Sequence, residues 1–191
     1  MSYLLTKRFF DIIFSLIFLV VLGIPMIFIA VCIKITSRGP FFYLSYRVGI
    51  NNALFKMFKY RTMTVNTPAV ATHLLKEPAN YVTPIGSFLR KYSIDESPQL
   101  INILKGDMSF VGPRPALFNQ DDLVDLRTQK NIHTLIPGIT GWAQINGRDD
   151  LPIPLKVYFD KYYYTHRSFA FDLRILLLTG LKVMKKEGVQ H

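Results

Sequence analysis

The sequence predicts an α+β chain, mainly helical, with an N-terminal re-entrant membrane helix-break-helix, a small β-hairpin and amphipathic interfacial helices. Three observations carry this. Residues 12–33 are almost wholly apolar, interrupted by Ser15, Gly23 and Pro25. Two partly alternating segments flank an Asn51-Asn52 turn. Several later stretches begin and end on helix start and stop signals.

The apolar run, 22 residues long, can cross a bilayer once. It is longer than the core of a secretory signal, and no small-x-small cleavage site follows it. Gly23-Ile24-Pro25 lies at its middle, where proline removes a backbone donor and crowds the preceding turn. Lys7 and Arg8 precede the run; Lys34, Arg38 and Arg47 follow it. The positive-inside rule places both ends on the cytoplasmic side. A helix that breaks at Gly23 and Pro25 and returns to the same face satisfies both facts, with a straight single span as the alternative. The expected division is residues 1–36 as a re-entrant membrane hairpin and residues 37–191 as a catalytic domain on the cytosolic face.

Composition narrows the class of partner. The 191 residues carry a net charge of +10, half of them are hydrophobic, and there is one cysteine and four histidines. A basic, apolar chain suits a membrane surface and phosphorylated ligands, or nucleic acid. One cysteine excludes an internal disulfide and a thiolate zinc site. The histidines lack metal-ligand spacing. No nucleic-acid-binding motif is present, so no nucleic-acid partner is expected.

Beyond Ser37-Arg38-Gly39-Pro40, a hairpin is expected around residues 49–53, its strands carrying Arg47, Lys59 and Arg61 among aromatics. Residues 64–84 read as a polar surface loop with a short helix near residues 70–76, and residues 85–91 as a short helix or turn. Ser97 followed by Pro98 predicts a helix start; a capping box from Ser93 to Glu96 is the alternative. Leu100, Ile101, Ile103 and Leu104 form the apolar face, and Gly106 stops the helix. Residues 119–133 suggest a surface helix. Asp172 is expected to cap a last helix over residues 173–186, packed in the core or lying on the bilayer.

The chemistry gathers around that Ser97-Pro98 start. Asp95 and Glu96 stand where helix N–H groups favour anions. Asp107 follows in a Gly turn, and Arg114 is held extended between Pro113 and Pro115. Carboxylates without His or Cys suit Mg²⁺, which retains waters and binds substrate phosphates. Lys59, Arg61, Arg90, Arg114 and Arg148, with Arg47, supply cations for a diphosphate. A carboxylate can also attack phosphorus as a nucleophile.

These residues carry a resemblance. Lys7-Arg8-Phe9-Phe10-Asp11 leads into the Pro-broken run. Arg47-x-Gly49 precedes Lys59-Tyr60-Arg61-Thr62-Met63. Asp95-Glu96-x-Pro98-Gln99-Leu100-x-Asn102 continues to Gly106-Asp107-Met108-Ser109-x-x-Gly112-Pro113-Arg114-Pro115. Then come Pro137-Gly138-Ile139-Thr140-Gly141-x-Ala143-Gln144-x-Asn146-Gly147-Arg148, Asp160-x-x-Tyr163 and Ser168-x-x-x-Asp172. The chain resembles the bacterial sugar transferases, the monotopic phosphoglycosyl transferases, over almost its full length and in their minimal single-domain form. It departs from them at Ser97, where Leu is usual, and at Ile136, where a basic residue is common.

The resemblance implies transfer of a phospho-sugar from a UDP-sugar, such as a UDP-N-acetylhexosamine, to polyprenol phosphate with release of UMP. It implies a ping-pong route at the cytoplasmic face of the bacterial inner membrane, as the first membrane step of glycoconjugate assembly. Asp95 would be the nucleophile and Glu96 its partner, with Mg²⁺ beside Asp95. Arg114 would contact phosphate or nucleotide, supported by Lys59, Arg90 and Arg148. Asp107 stays between turn and metal support. The sugar and the oligomeric state, a homodimer among the options, stay open.

Overall fold

A computed structural model describes residues 3–67, 77–147 and 151–184. Its longest element is helix α1, Tyr3–Thr36, 34 residues that continue through Gly23 and Pro25. At ~1.5 Å per residue such a helix is about 50 Å long, well beyond the ~30 Å hydrocarbon core. Pro25 removes one ladder donor without ending the helix. Side chains at its middle are the most exposed, Val20 at 80% and Ile24 at 82%, whereas Asp11, Ser15 and Ile33 are buried.

Both halves of α1 are fastened to the same domain. In the first half, Lys7 Nζ lies 2.7 Å from Asp172 Oδ2. Arg8 donates to the Ile103 and Leu104 carbonyls. Asp11 accepts from Ser109 Oγ and the Phe110 N–H, both at 3.1 Å. In the second half, the Tyr60 hydroxyl donates to the Met26 carbonyl at 2.7 Å, one residue past the proline. Ile33 is buried with Tyr60 and Leu89.

The expected hairpin is present. Strand β1 (Phe42–Val48) pairs antiparallel with β2 (Leu54–Tyr60), Phe42 opposite Tyr60 and Val48 opposite Leu54. Asn51 and Asn52 turn the chain with φ of 53° and 60°, a region Asn tolerates better than most side chains. Helix α2 (Pro84–Lys91) begins on Thr83, whose hydroxyl accepts from the Gly86 N–H at 3.1 Å. Helix α3 (Gln99–Lys105) ends on Gly106 at φ 93°, as expected of a left-handed cap. The short helix expected near residues 70–76 lies outside the described residues.

Two short parallel strands were not anticipated: β3 (Ser109–Val111) and β4 (Gly138–Thr140). Gly112 N–H donates to the Thr140 carbonyl, and Gly138 N–H to the Pro113 carbonyl. The backbones approach so closely that a Cβ on Gly112 would fall 2.3 Å from the Ile136 carbonyl oxygen, and one on Gly141 2.1 Å from that of Gly112. The two glycine-containing stretches are therefore the two sides of one contact.

Helices α4 (Asp121–Gln129), α5 (Trp142–Gly147), α6 (Ile153–His166) and α7 (Phe169–Met184) complete the domain. Their core joins Val111, Leu123, Ile132, Val157, Tyr163 and Ile175. The cap expected at Asp172 is corrected. Helix α7 starts four residues earlier, at Phe169, and Ser168 Oγ accepts from the Phe171 N–H. Asp172 instead faces inward, accepting from Tyr163, Tyr3 and Lys7. Helix α7 is not a core helix on all sides: Ile175 is buried, while Leu173, Leu176, Leu177, Leu181 and Val183 are exposed.

Candidate active site

Asp95 and Glu96 lie in a 3₁₀ turn, Ile94–Glu96, preceded by Ser93 in the left-handed region at φ 54°. The expected Ser97 cap is corrected. Ser97 is already helical, at φ −57° and ψ −31°, and its hydroxyl donates back to the Ile94 carbonyl at 2.8 Å. The Ser93, Ile94, Ser97 and Pro98 carbonyls accept bonds of i→i+3 type leading into α3. A proline is tolerated where a tight turn becomes an α-helix, because its missing N–H is not needed there. The acid pair thus belongs to the leading turn of a composite helix.

The neighbouring cation comes from β2. Asn102, fully buried on α3, acts as a piece of strand edge. Its Oδ1 accepts from the Phe58 N–H at 2.9 Å and its Nδ2 donates to the Lys56 carbonyl at 2.8 Å. This seats β2 on α3 and brings Lys59 to the acid pair. Lys59 Nζ lies 2.7 Å from Glu96 Oε1, and Arg114 Nη2 lies 3.2 Å from the same oxygen.

The two carboxyls are driven apart. Burial acts against the Glu96 carboxylate, but Lys59 and Arg114 overcome it and hold its pKa well below the usual carboxylate range. Burial pushes Asp95 up to about 6; Lys59 and Arg90 oppose this and the charge of Glu96 adds to it. Asp95 makes no ion pair among the described residues. It remains largely ionised at neutral pH, with a carboxylate more basic than an ordinary Asp.

Asp95, Glu96, Lys59, Arg90 and Arg114 therefore act on one another. Arg61 does not join them. It is buried, donating from Nη1 to the Arg38 carbonyl at 2.9 Å and from Nη2 to the Ser37 carbonyl at 2.8 Å. The expectation that it binds phosphate is corrected: its guanidinium secures the segment leaving α1. Arg148 lies outside the described residues. Asp107 Oδ2 accepts from Asn102 Nδ2 at 3.1 Å and pairs with Lys105 at 3.3 Å.

For a divalent cation, Asp95 is the residue that fits. Mg²⁺ commonly takes one or two carboxylates, and substrate oxygens and water complete its shell. Asp107, already matched by Asn102 and Lys105, does not fit, and no group of three acids or histidines gathers among the described residues. Asn102 was missed as a site-building residue. Its signal was an amide among Leu100, Ile101, Ile103 and Leu104, where a buried polar group needs partners.

Comparison with known proteins identifies the family. Residues 2–186 match the bacterial sugar transferase family. The chain is 39% identical over 190 residues to an uncharacterized sugar transferase, EpsL, of Bacillus subtilis, covering 98% of this chain and 92% of that protein. It is 35% identical over 201 residues to an undecaprenyl-phosphate galactose phosphotransferase of Salmonella typhimurium, covering 95% of this chain and 41% of the relative. It is 38% identical over 187 residues to a UDP-glucose:undecaprenyl-phosphate glucose-1-phosphate transferase of Escherichia coli, covering 93% and 40%.

Proposed function

This chain belongs to the bacterial sugar transferase family and is a phosphoglycosyl transferase, and from that premise we propose that it moves a phospho-sugar from a UDP-sugar to a polyprenol phosphate. The carrying observation is the separation of roles in the acid pair: Glu96 is matched by Lys59 and Arg114, while Asp95 stays ionised without an ion-pair partner among the described residues.

In the proposed first step, a carboxylate oxygen of Asp95 attacks the sugar-linked phosphorus. The bond from that phosphorus to the bridging oxygen breaks, and UMP leaves with the electron pair. In the second step, a phosphate oxygen of the polyprenol phosphate attacks the same phosphorus and releases Asp95. Polyprenyl-diphospho-sugar results. One phosphoanhydride replaces another, so little driving force is needed, and the covalent stage divides a difficult displacement. Arg90 and Arg114 bind and orient the diphosphate, and Lys59 holds Glu96 in place. Mg²⁺ held by Asp95 would neutralise phosphate charge when bound.

A two-stage route suits a site served by an aqueous donor and a lipid acceptor. The exposed apolar middle of α1, fastened at both ends to one domain, supports a re-entrant helix that seats the site on the membrane surface. The basic residues at both ends of α1 support the cytoplasmic face of the inner membrane. For the donor, a UDP-N-acetylhexosamine stands beside the galactose and glucose of the relatives' names.

The test is UMP release from UDP-galactose, UDP-glucose and UDP-N-acetylhexosamines with polyprenol phosphate in detergent or nanodiscs. Asp95→Asn is expected to abolish release while the protein stays folded. UDP as the product, or an active Asp95→Asn variant, would overturn the proposal.

A further inference from the structure

Gly112-Pro113-Arg114-Pro115-Ala116 is an unusual piece of backbone. Two of its residues lack an N–H, so its hydrogen bonding falls mainly to carbonyls, and four consecutive carbonyls are taken. Pro113 O accepts from the Gly138 N–H at 2.9 Å, and Ala116 O from the Val48 N–H at 3.0 Å. Pro115 O accepts from Arg47 Nη1 at 3.4 Å. Arg114 O accepts from Arg127 Nη1 at 2.9 Å.

That last donor differs from the others because it is itself held. Arg127, on α4, is buried, and its Nε and Nη2 reach Asp160 Oδ2 on α6 at 3.0 and 2.6 Å. Asp160 is 1% exposed. One guanidinium thus spans a buried carboxylate and the main chain of a residue whose own side chain touches Glu96. A lysine could meet one of those partners but not both, because only the planar fork presents donors in two directions. A buried charge pair is weak evidence of stabilisation by itself. Its placement against a carbonyl of the site is the informative feature.

We propose that Arg127, oriented by Asp160, is a positioning residue for phospho-sugar transfer: it fixes the Arg114 carbonyl and so sets where the Arg114 guanidinium stands against Glu96 and the diphosphate. This rests on the function proposed above. Neither residue touches substrate; both act through Arg114. Displacing a site cation by a fraction of an ångström to 1 Å is enough to slow an oriented reaction by up to about a hundredfold.

The experiment is a pair of double-mutant cycles. In the first, Arg127→Lys is made in the wild-type and Arg114→Ala backgrounds, and UMP release is measured. The expected loss in kcat/KM is about thirtyfold in the wild type, mostly in kcat, and under about threefold with Arg114→Ala. Equal losses in both backgrounds, or an Arg114→Ala variant with wild-type turnover, overturn the proposal. Asp160→Asn replaces Arg127→Lys if the latter does not fold.

The second cycle needs no activity. Thermal unfolding is compared for Arg127→Lys, Glu96→Gln and the double variant. Arg127→Lys is expected to lower Tm less when Glu96 is already neutral, because the Arg114–Glu96 contact is then worth less; strict additivity overturns the link. Coupled cycles with an active Asp95→Asn variant would sink the proposed reaction and leave the Arg127 linkage standing. Additive cycles with a dead Asp95→Asn variant would do the reverse.

Discussion

Lys59 Nζ and Glu96 Oε1 meet at 2.7 Å with both side chains mostly buried, and their contact joins the end of β2 to the turn that leads into α3. The oxygen that Lys59 holds is also the one Arg114 reaches. Neutralising Glu96 therefore disturbs three groups. Glu96→Gln is expected to lower kcat by about a hundredfold. Because the Glu96 charge raises the pKa of Asp95, the acidic limb of the pH–rate profile should move to lower pH. An upward move would refute this account of the pair.

Asp95 titrates at about 6 in the folded protein. In the proposed reaction its carboxylate is the attacking form, so kcat/KM for the UDP-sugar should fall below about pH 6 and reach a plateau above it. Stability runs the other way. A carboxyl whose folded pKa is raised favours the fold most at low pH, and that contribution is lost as pH rises through 6. Asp95→Asn should therefore be more stable than the wild type at pH 7.5, by on the order of 2 kcal/mol. The gain should vanish below about pH 4, as thermal scans across pH would show.

Asn102→Ala removes the acceptor for the Phe58 N–H and the donor to the Lys56 carbonyl. Orphaned buried groups of this kind are expected to lower stability by about 3 kcal/mol, read by denaturant unfolding in detergent. The surviving folded fraction should also turn over slowly, because Lys59 depends on the same seam.

Arg61 separates two readings of one motif. Sequence placed it with the phosphate ligands, whereas the structure has it gripping the Ser37 and Arg38 carbonyls. Arg61→Ala should lower Tm markedly and leave the KM for UDP-sugar within about twofold of wild type. A large rise in KM with normal stability would restore the sequence expectation.

Chelation with EDTA is expected to stop UMP release, and added Mg²⁺ to restore it. Asp107→Asn should leave the Mg²⁺ concentration for half-maximal rate unchanged, since Asp107 is matched by Asn102 and Lys105. A rise of tenfold or more would give Asp107 a place at the metal.

Features with strong local signals were readable from sequence. The apolar length of α1, the Asn51-Asn52 hairpin turn, the Gly106 stop and the acid pair each rest on a few adjacent residues. What escaped was non-local. Pairing of β3 with β4 needs two stretches almost thirty residues apart to approach at their glycines. The roles of Asn102, Arg61 and Arg127 depend on carbonyls that no spacing rule reveals. Ser97 and Asp172 show the opposite failure: each has the residue type of a cap, but Ser97 bonds back to the Ile94 carbonyl within its own turn, and partners on other elements turn Asp172 inward.

Lys59, Tyr60 and Arg61 are three consecutive residues with three different grips: the acid pair, the helix just past Pro25, and the chain leaving that helix. A strand advances only ~3.4 Å per residue, so the reaction centre cannot slide relative to α1. If α1 enters and leaves the bilayer on one face as proposed, the height of Asp95 above that face is a built-in dimension of the protein. The depth to which the apolar middle of α1 sinks would then set the reach from Asp95 to the acceptor's phosphate, while every contact inside the domain stays the same.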